Sequence, residues 1–114
     1  MNVYDQANLL AQALRESDEY KEYQRLREAA YSDDTNRALL DEYKRLQYRL
    51  QLKMAQGDRM DDDDMSRLQK ISTLLQFNED ASAFILSEFR FQRIIADIYK
   101  ILADVSGINM DLLQ

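Results

Sequence analysis

Four consecutive aspartates, Asp61 to Asp64, with Asp58 just before them, are the densest set of oxygen ligands in the chain. Carboxylates bind hard cations, so calcium is the first chemistry to test. An EF-hand loop needs alternating ligands, a central glycine and a glutamate at its twelfth position. This run has none of these. Acidic residues at a helix start are favoured by capping and by the helix dipole, so the run is read as a cap and a solvated loop. The adjacent carboxylates Asp41 and Glu42 invite an acid–base reading, but catalysis needs a pocket that perturbs them. Here they alternate with Lys and Arg at helical spacing. The chain has no histidine and no cysteine. That excludes imidazole catalysis, disulfides and thiolate metal or iron–sulfur sites. No glycine-rich phosphate loop, nucleophile motif or HExxH is present. The expectation is a protein that is not an enzyme and carries no cofactor and no metal.

A second constellation suits recognition. Arg45, Tyr48, Arg49 and Leu52 share one side of a helix, with Asp41 and Lys44 nearby. Tyr48 and Leu52 are one turn apart and touch on a helix surface. Aromatic, aliphatic and arginine side chains together are the composition of an interface centre. The four residues are therefore the candidate site for a partner protein.

These residues need helices to position them. The 114-residue chain has no proline and only two glycines, Gly57 and Gly107. A β protein needs many more turn residues. Hydrophobic residues make up 46% of the chain, which is normal for one globular domain and too many for disorder. The fold expected is all-α: an elongated, dimeric bundle of about five helices, two of them long and antiparallel, in a single domain over residues 1–114. The helices are expected near 3–15, 17–31, 35–56, 62–76 and 79–106. In the first, Val3, Ala7, Leu10, Ala11 and Leu14 form a stripe. In the second, capped by Ser17, the apolar face is Tyr20, Tyr23, Ala30 and Tyr31. In the third, Leu39, Leu40, Tyr43, Leu46, Leu50 and Met54 share one direction, opposite Tyr48 and Leu52. The fourth buries Met65, Leu68, Ile71 and Leu75. The tail, residues 108–114, is expected to add a short turn or to fray.

The fifth helix carries the most information. Asn78 suits its cap, Glu79 and Asp80 its first turn, and Gly107 its end. Phe84, Phe91, Ile98 and Val105 recur every seven residues, flanked by Ile94, Ile95, Ile101 and Leu102. A helix of this length would run about 42 Å, against about 35 Å across a compact monomer of this size. Near its start it is apolar almost all round. Phe84, Ile85, Phe91, Ile94, Ile95 and Ile98 are therefore the candidate dimer interface, between two copies related by a twofold axis.

Charge is uneven. Residues 35–56 carry five basic and two acidic groups in a chain of net charge −6. Overall acidity disfavours nucleic-acid partners, which require phosphate neutralisation. An RNA-associated reading through Lys44, Arg45, Arg49 and Lys53 stays as an alternative, as does a purely structural oligomerisation module. The first residues lack the basic start and apolar core of a secretory signal. No apolar run approaches a membrane span, so no membrane partner is expected and the expected compartment is the cytoplasm.

The stretches LAQALRESDEYKEYQRL (10–26), ALLDEYKRLQYRLQ (38–51) and NEDASAFILSEFRFQRIIADIYKIL (78–102) together resemble the YlbF/YmcA family of bacterial regulators. The resemblance spans most of the chain and is greatest to the YheA-like branch. It implies an all-helical, dimeric cytoplasmic protein of Gram-positive bacteria that regulates by binding another cytoplasmic protein. It links the chain to competence, sporulation, biofilm formation and the modulation of RNase Y. Better-studied relatives hold iron–sulfur clusters on cysteines. Those relatives act together in a complex; this chain has no cysteine, so neither the cluster nor membership of that complex carries over.

Overall fold

The computed structural model describes residues 2–107; the turn expected over 108–114 lies outside the described residues. It contains five helices: α1 (Val3–Glu16), α2 (Asp18–Tyr31), α3 (Asp34–Ala55), α4 (Asp62–Gln76) and α5 (Glu79–Ser106). There is no strand among the described residues. The all-α reading holds, and the fourth and fifth helices have the expected ends.

Local chemistry sets the ends. The Asn2 side chain accepts from the Tyr4 N–H at 2.8 Å and starts α1. Ser17 then serves two helices. Its hydroxyl donates to the Leu14 carbonyl at 2.7 Å and accepts from the Tyr20 N–H at 3.2 Å. Asp33 caps α3 by accepting from the N–H groups of Thr35 and Asn36. At the other end of α3 the chain turns at Gly57, where φ is +72°. The Gly57 N–H donates to the Met54 carbonyl at 3.1 Å, and the Asp58 N–H to the Lys53 carbonyl at 2.8 Å. This is the paired pattern of a Schellman end, and its left-handed residue favours glycine. Gly107 closes α5 at φ +70°, its N–H donating to the Ala103 carbonyl.

The chain divides into two compact units: residues 25–84, and residues 1–24 with those from 85 onward. In the central unit, 25–84, α3 and α4 pack closely. Leu40 and Leu46 of α3 meet a core that includes Leu68, Ile71 and Leu75 of α4. The α4 residues recur at spacings of three and four, so they fall on one helix face. Phe84, Leu40, Ile71 and Leu75 are the largest fully buried side chains. The stripe expected on α3 is corrected at its end: Met54 is 68% exposed, while Met60 of the loop is buried. The helix ends at Ala55, ahead of the turn at Gly57, and the loop rather than the last helical turn supplies the buried methionine. Leu39, Tyr43 and Leu50 are half-buried, as is Met65.

In the terminal unit, Tyr20 and Tyr23 of α2 flank Phe91 of α5, with ring centroids 5.1 and 5.8 Å away. Both tyrosines are half-buried, as their amphipathic rings suggest. Along the α1 stripe, Ala11 and Leu14 are half-buried, but Val3 and Leu10 are exposed.

Candidate interaction surfaces

The outer side of α3 carries all four candidate partner residues. Arg45, Tyr48, Arg49 and Leu52 are exposed, Tyr48 at 62% and Leu52 at 44%. They lie together because Leu40 and Leu46 turn the opposite face of the helix into the core. Beside Leu52 is a shallow hollow of about 170 Å³, lined by Arg49, Leu52, Lys53, Gln56, Met60, Asp61 and Asp64. Leu52 and Met60 give it an apolar part, and its rim carries both signs of charge. Lys44 departs from the expected outer face. Its ammonium sits 5.2 Å from the centre of the Phe84 ring, a cation–π contact.

The aspartate run has structural duties. Asp61 caps α4 by accepting from the Asp63 N–H at 3.1 Å. Asp62, Asp63 and Asp64 fill the first helical turn, where the dipole favours negative charge. Asp64 also reaches Arg49 at 3.4 Å, and Asp58 reaches Lys53 at 3.6 Å. The Asp58 carboxyl is held below its ordinary range, chiefly by the Arg59 backbone N–H and then by the Lys53 charge. Carboxylates stand beside two of the four cations of the RNA-associated reading, and a third lies over the Phe84 ring. Phosphate contacts on this face would compete with those within the chain.

Glu42 and Arg67 join α3 to α4 through two parallel bonds, 2.7 and 2.9 Å long. This fork holds the Glu42 carboxyl below its ordinary range. The Arg67 hydrogen bond contributes most, partial desolvation opposes it, and the charges of Arg67 and Arg45 add to it. A carboxyl depressed on folding stabilises the fold above its unfolded pKa, and that contribution fades as pH falls through the folded value. The melting temperature is therefore expected to fall more steeply on acidification for the wild type than for Glu42→Gln. The two curves should converge once acid has protonated the Glu42 carboxyl in the folded chain, and the gap at neutral pH should shrink with salt. A gap independent of pH in a thermal melt series would show that the pair contributes through packing alone.

The candidate dimer residues divide. Ile85, Phe91, Ile94, Ile95 and Ile98 lie in the terminal unit and are half-buried. Phe84 is corrected: it is fully buried in the central unit, with the Tyr31 ring edge-on at 5.6 Å and Lys44 over its face. Its ring is consumed by its own chain and is not available to a second copy. Sequence reasoning also missed a reciprocal amide pair. The Asn36 amide donates to the Asn78 oxygen at 3.2 Å, and the Asn78 amide donates back at 3.0 Å. The Asn78 oxygen also accepts from the Ala81 N–H at 2.9 Å, so one side chain caps α5 and ties it to α3. Only the cap left a signal in sequence.

The model of the family described as "Control of competence regulator ComK, YlbF/YmcA" matches residues 3–105. The chain belongs to the YlbF/YmcA family. Among the relatives of this family member is a UPF0342 protein of Caldicellulosiruptor bescii, 34% identical over 103 residues, covering 90% of this chain and 87% of that one. A UPF0342 protein of Staphylococcus aureus strain Newman is 30% identical over 102 residues, covering 90% of each. A solved DUF964 protein from Bacillus stearothermophilus superposes with a TM-score of 0.77 at 25% identity, covering 92% of each chain. Bacillus subtilis RicA, solved in complex with RicF, superposes with a TM-score of 0.61 over 94% of this chain and 96% of its own. At 13% identity that likeness shows the fold alone. The family description is that of regulators. Among the described residues, no helix is long and apolar enough to cross a membrane.

Proposed function

We propose that this YlbF/YmcA family member is a non-enzymatic regulatory adaptor that holds another protein on the outer face of α3. The observation that carries this reading is the exposed pair Tyr48 and Leu52, set among Arg45 and Arg49 on a helix whose other face builds the core. That RicA was solved in complex with RicF supports a fold suited to protein partners. The expected processes are those of the family resemblance: competence, sporulation and RNase Y-dependent RNA processing. A homodimer through Ile85, Phe91, Ile94, Ile95 and Ile98 is part of the proposal. Light scattering that finds only monomer at micromolar concentration removes that part.

Replacing Tyr48 and Leu52 together with Ala is expected to change stability little, because surface substitutions usually stay within about 0.5 kcal/mol each. The same change should abolish most partner capture from native lysate, since aromatic anchors carry a large share of binding energy. Leu46→Ala is the contrasting variant. Leu46 is 3% exposed, so its loss is expected to cost about 2–5 kcal/mol. A thermal melt and a pull-down on both variants separate the roles. Collapse of the Tyr48/Leu52 double variant, with capture by its folded fraction unchanged, assigns that face to the core.

A further inference from the structure

The hollow beside Leu52 is too small for a drug-sized ligand. It holds about 170 Å³, where such sites take about 300–1,000 Å³. Its size suits a single side chain. Leu52 and Met60 supply its apolar wall, and methionine adapts its shape to whatever packs against it. The walls are set before anything enters. The Glu42–Arg67 fork ties α3 to α4, and the turn at Gly57 fixes the start of the loop that carries Met60. A preformed seat binds without the cost of ordering it.

The rim carries both signs of charge in a definite arrangement. Arg49 and Lys53 stand one turn apart on α3, and Asp61 and Asp64 stand at the start of α4. Arg49 meets Asp64 at 3.4 Å, with side chains 59% and 33% exposed. A pair this open contributes little to the fold, so an incoming segment can replace it. A partner bearing a single sign would take one member and leave the other covered and unpaired, which is costly. The same argument weighs against a polyanion, since phosphates drawn to Arg49 would lie against Asp61 and Asp64.

We propose that the hollow seats an apolar anchor of a partner helix whose two edges carry opposite charges, acid against Arg49 and Lys53 and base against Asp61 and Asp64. The proposal rests on the adaptor reading above and deepens it by naming the partner's chemistry. A helix fits because Tyr48, Leu52 and Gln56 follow one another every fourth residue and are all exposed. They form a strip about 12 Å long at 1.5 Å per residue. Anchors one or two turns apart on a partner helix can therefore meet both Tyr48 and Leu52. Opposite edges also fix which way the partner lies, since reversing it would set like charges together.

The probes are three designed peptides of about 15 residues, long enough to be helical, sharing one leucine stripe. One carries Glu along one edge and Lys along the other, one Glu along both, and one Lys along both. Each is titrated into the full chain at low salt, where charge counts most, with the Met60 methyl as the NMR reporter. The mixed-edge peptide is expected to bind at least ~10-fold tighter than either of the others and to shift the Met60 methyl. Leu52→Ala should weaken it ~10-fold or more. In a chain carrying Arg49→Glu and Lys53→Glu, preference should pass to the all-Lys peptide. Equal binding of the three peptides overturns the charge pattern. Binding of the mixed-edge peptide with Met60 unmoved overturns the seat. Tightest binding by the all-Glu peptide, matched by a short oligouridylate, overturns the proposal in favour of a polyanion surface. If no peptide binds, the helical partner falls. The adaptor reading then stands or falls separately, on whether capture from lysate needs Tyr48 and Leu52.

Discussion

Phe84→Ala is expected to lower stability by about 3–5 kcal/mol, the range for a large buried aromatic. The ring is fully covered, with Tyr31 at its edge and the Lys44 ammonium over its face. Truncation removes both of these contacts and leaves a cavity, because a packed interior relaxes only in part. The cover comes from the same chain, so the loss relative to wild type should not change with protein concentration. Phe91→Ala makes the comparison. Phe91 stands half-buried between Tyr20 and Tyr23. Its loss should be smaller in dilute protein and should grow with concentration if the proposed homodimer forms. Chemical denaturation of both variants at two concentrations decides this. A concentration-dependent loss for Phe84→Ala would return that ring to the interface.

Asn78→Ala is the second large effect, expected at about 2–4 kcal/mol. Removing an asparagine cap accounts for about 0.5–2 kcal/mol. The remainder comes from Asn36, which is 6% exposed and loses both bonds to its partner amide. A buried polar group left unpaired costs about 1–3 kcal/mol. Asn36→Ala should remove the pair but keep the cap, so its cost should be lower. A double-mutant cycle should therefore show coupling between positions 36 and 78. Asn78→Asp preserves the acceptor for the Ala81 N–H and for the Asn36 amide, and should keep much of the stability. Equal losses for Asn78→Ala and Asn78→Asp in thermal unfolding would show that the amide exchange, not the cap, dominates.

Both effects show how far a sequence reading reaches. Helix positions were legible because their causes are local. Ser17, Asn78, Gly57 and Gly107 act on groups within five residues, and apolar spacing repeats within two turns. The α4 face of Leu68, Ile71 and Leu75 followed from spacing alone. The outer position of Tyr48 and Leu52 followed from the stripe on the other side of the same helix. The aspartate run was read as a cap because a helix N-terminus asks for that chemistry, and Asp61 fills it.

What periodicity leaves open is which apolar side chains find cover. Phe84 and Val105 occupy the same heptad register on α5, yet one is fully buried and the other is 85% exposed. Met54 is exposed where its stripe expected burial, and Met60 of the loop is buried, for the same reason: burial depends on what lies opposite, not on the helix itself. The Asn36–Asn78 pair spans 42 residues and the Glu42–Arg67 fork 25. Separations of that size carry no local signal, since neither member needs the other for its own helix to form. Lys44 reads as one more cation on a basic face until Phe84 is placed beneath it. The sequence by itself determined the five helices, their caps and the direction of their faces. Only the tertiary structure decided that, among the described residues, the buried apolar side chains lie in the central unit while Ile101, Leu102 and Val105 of α5 stay exposed.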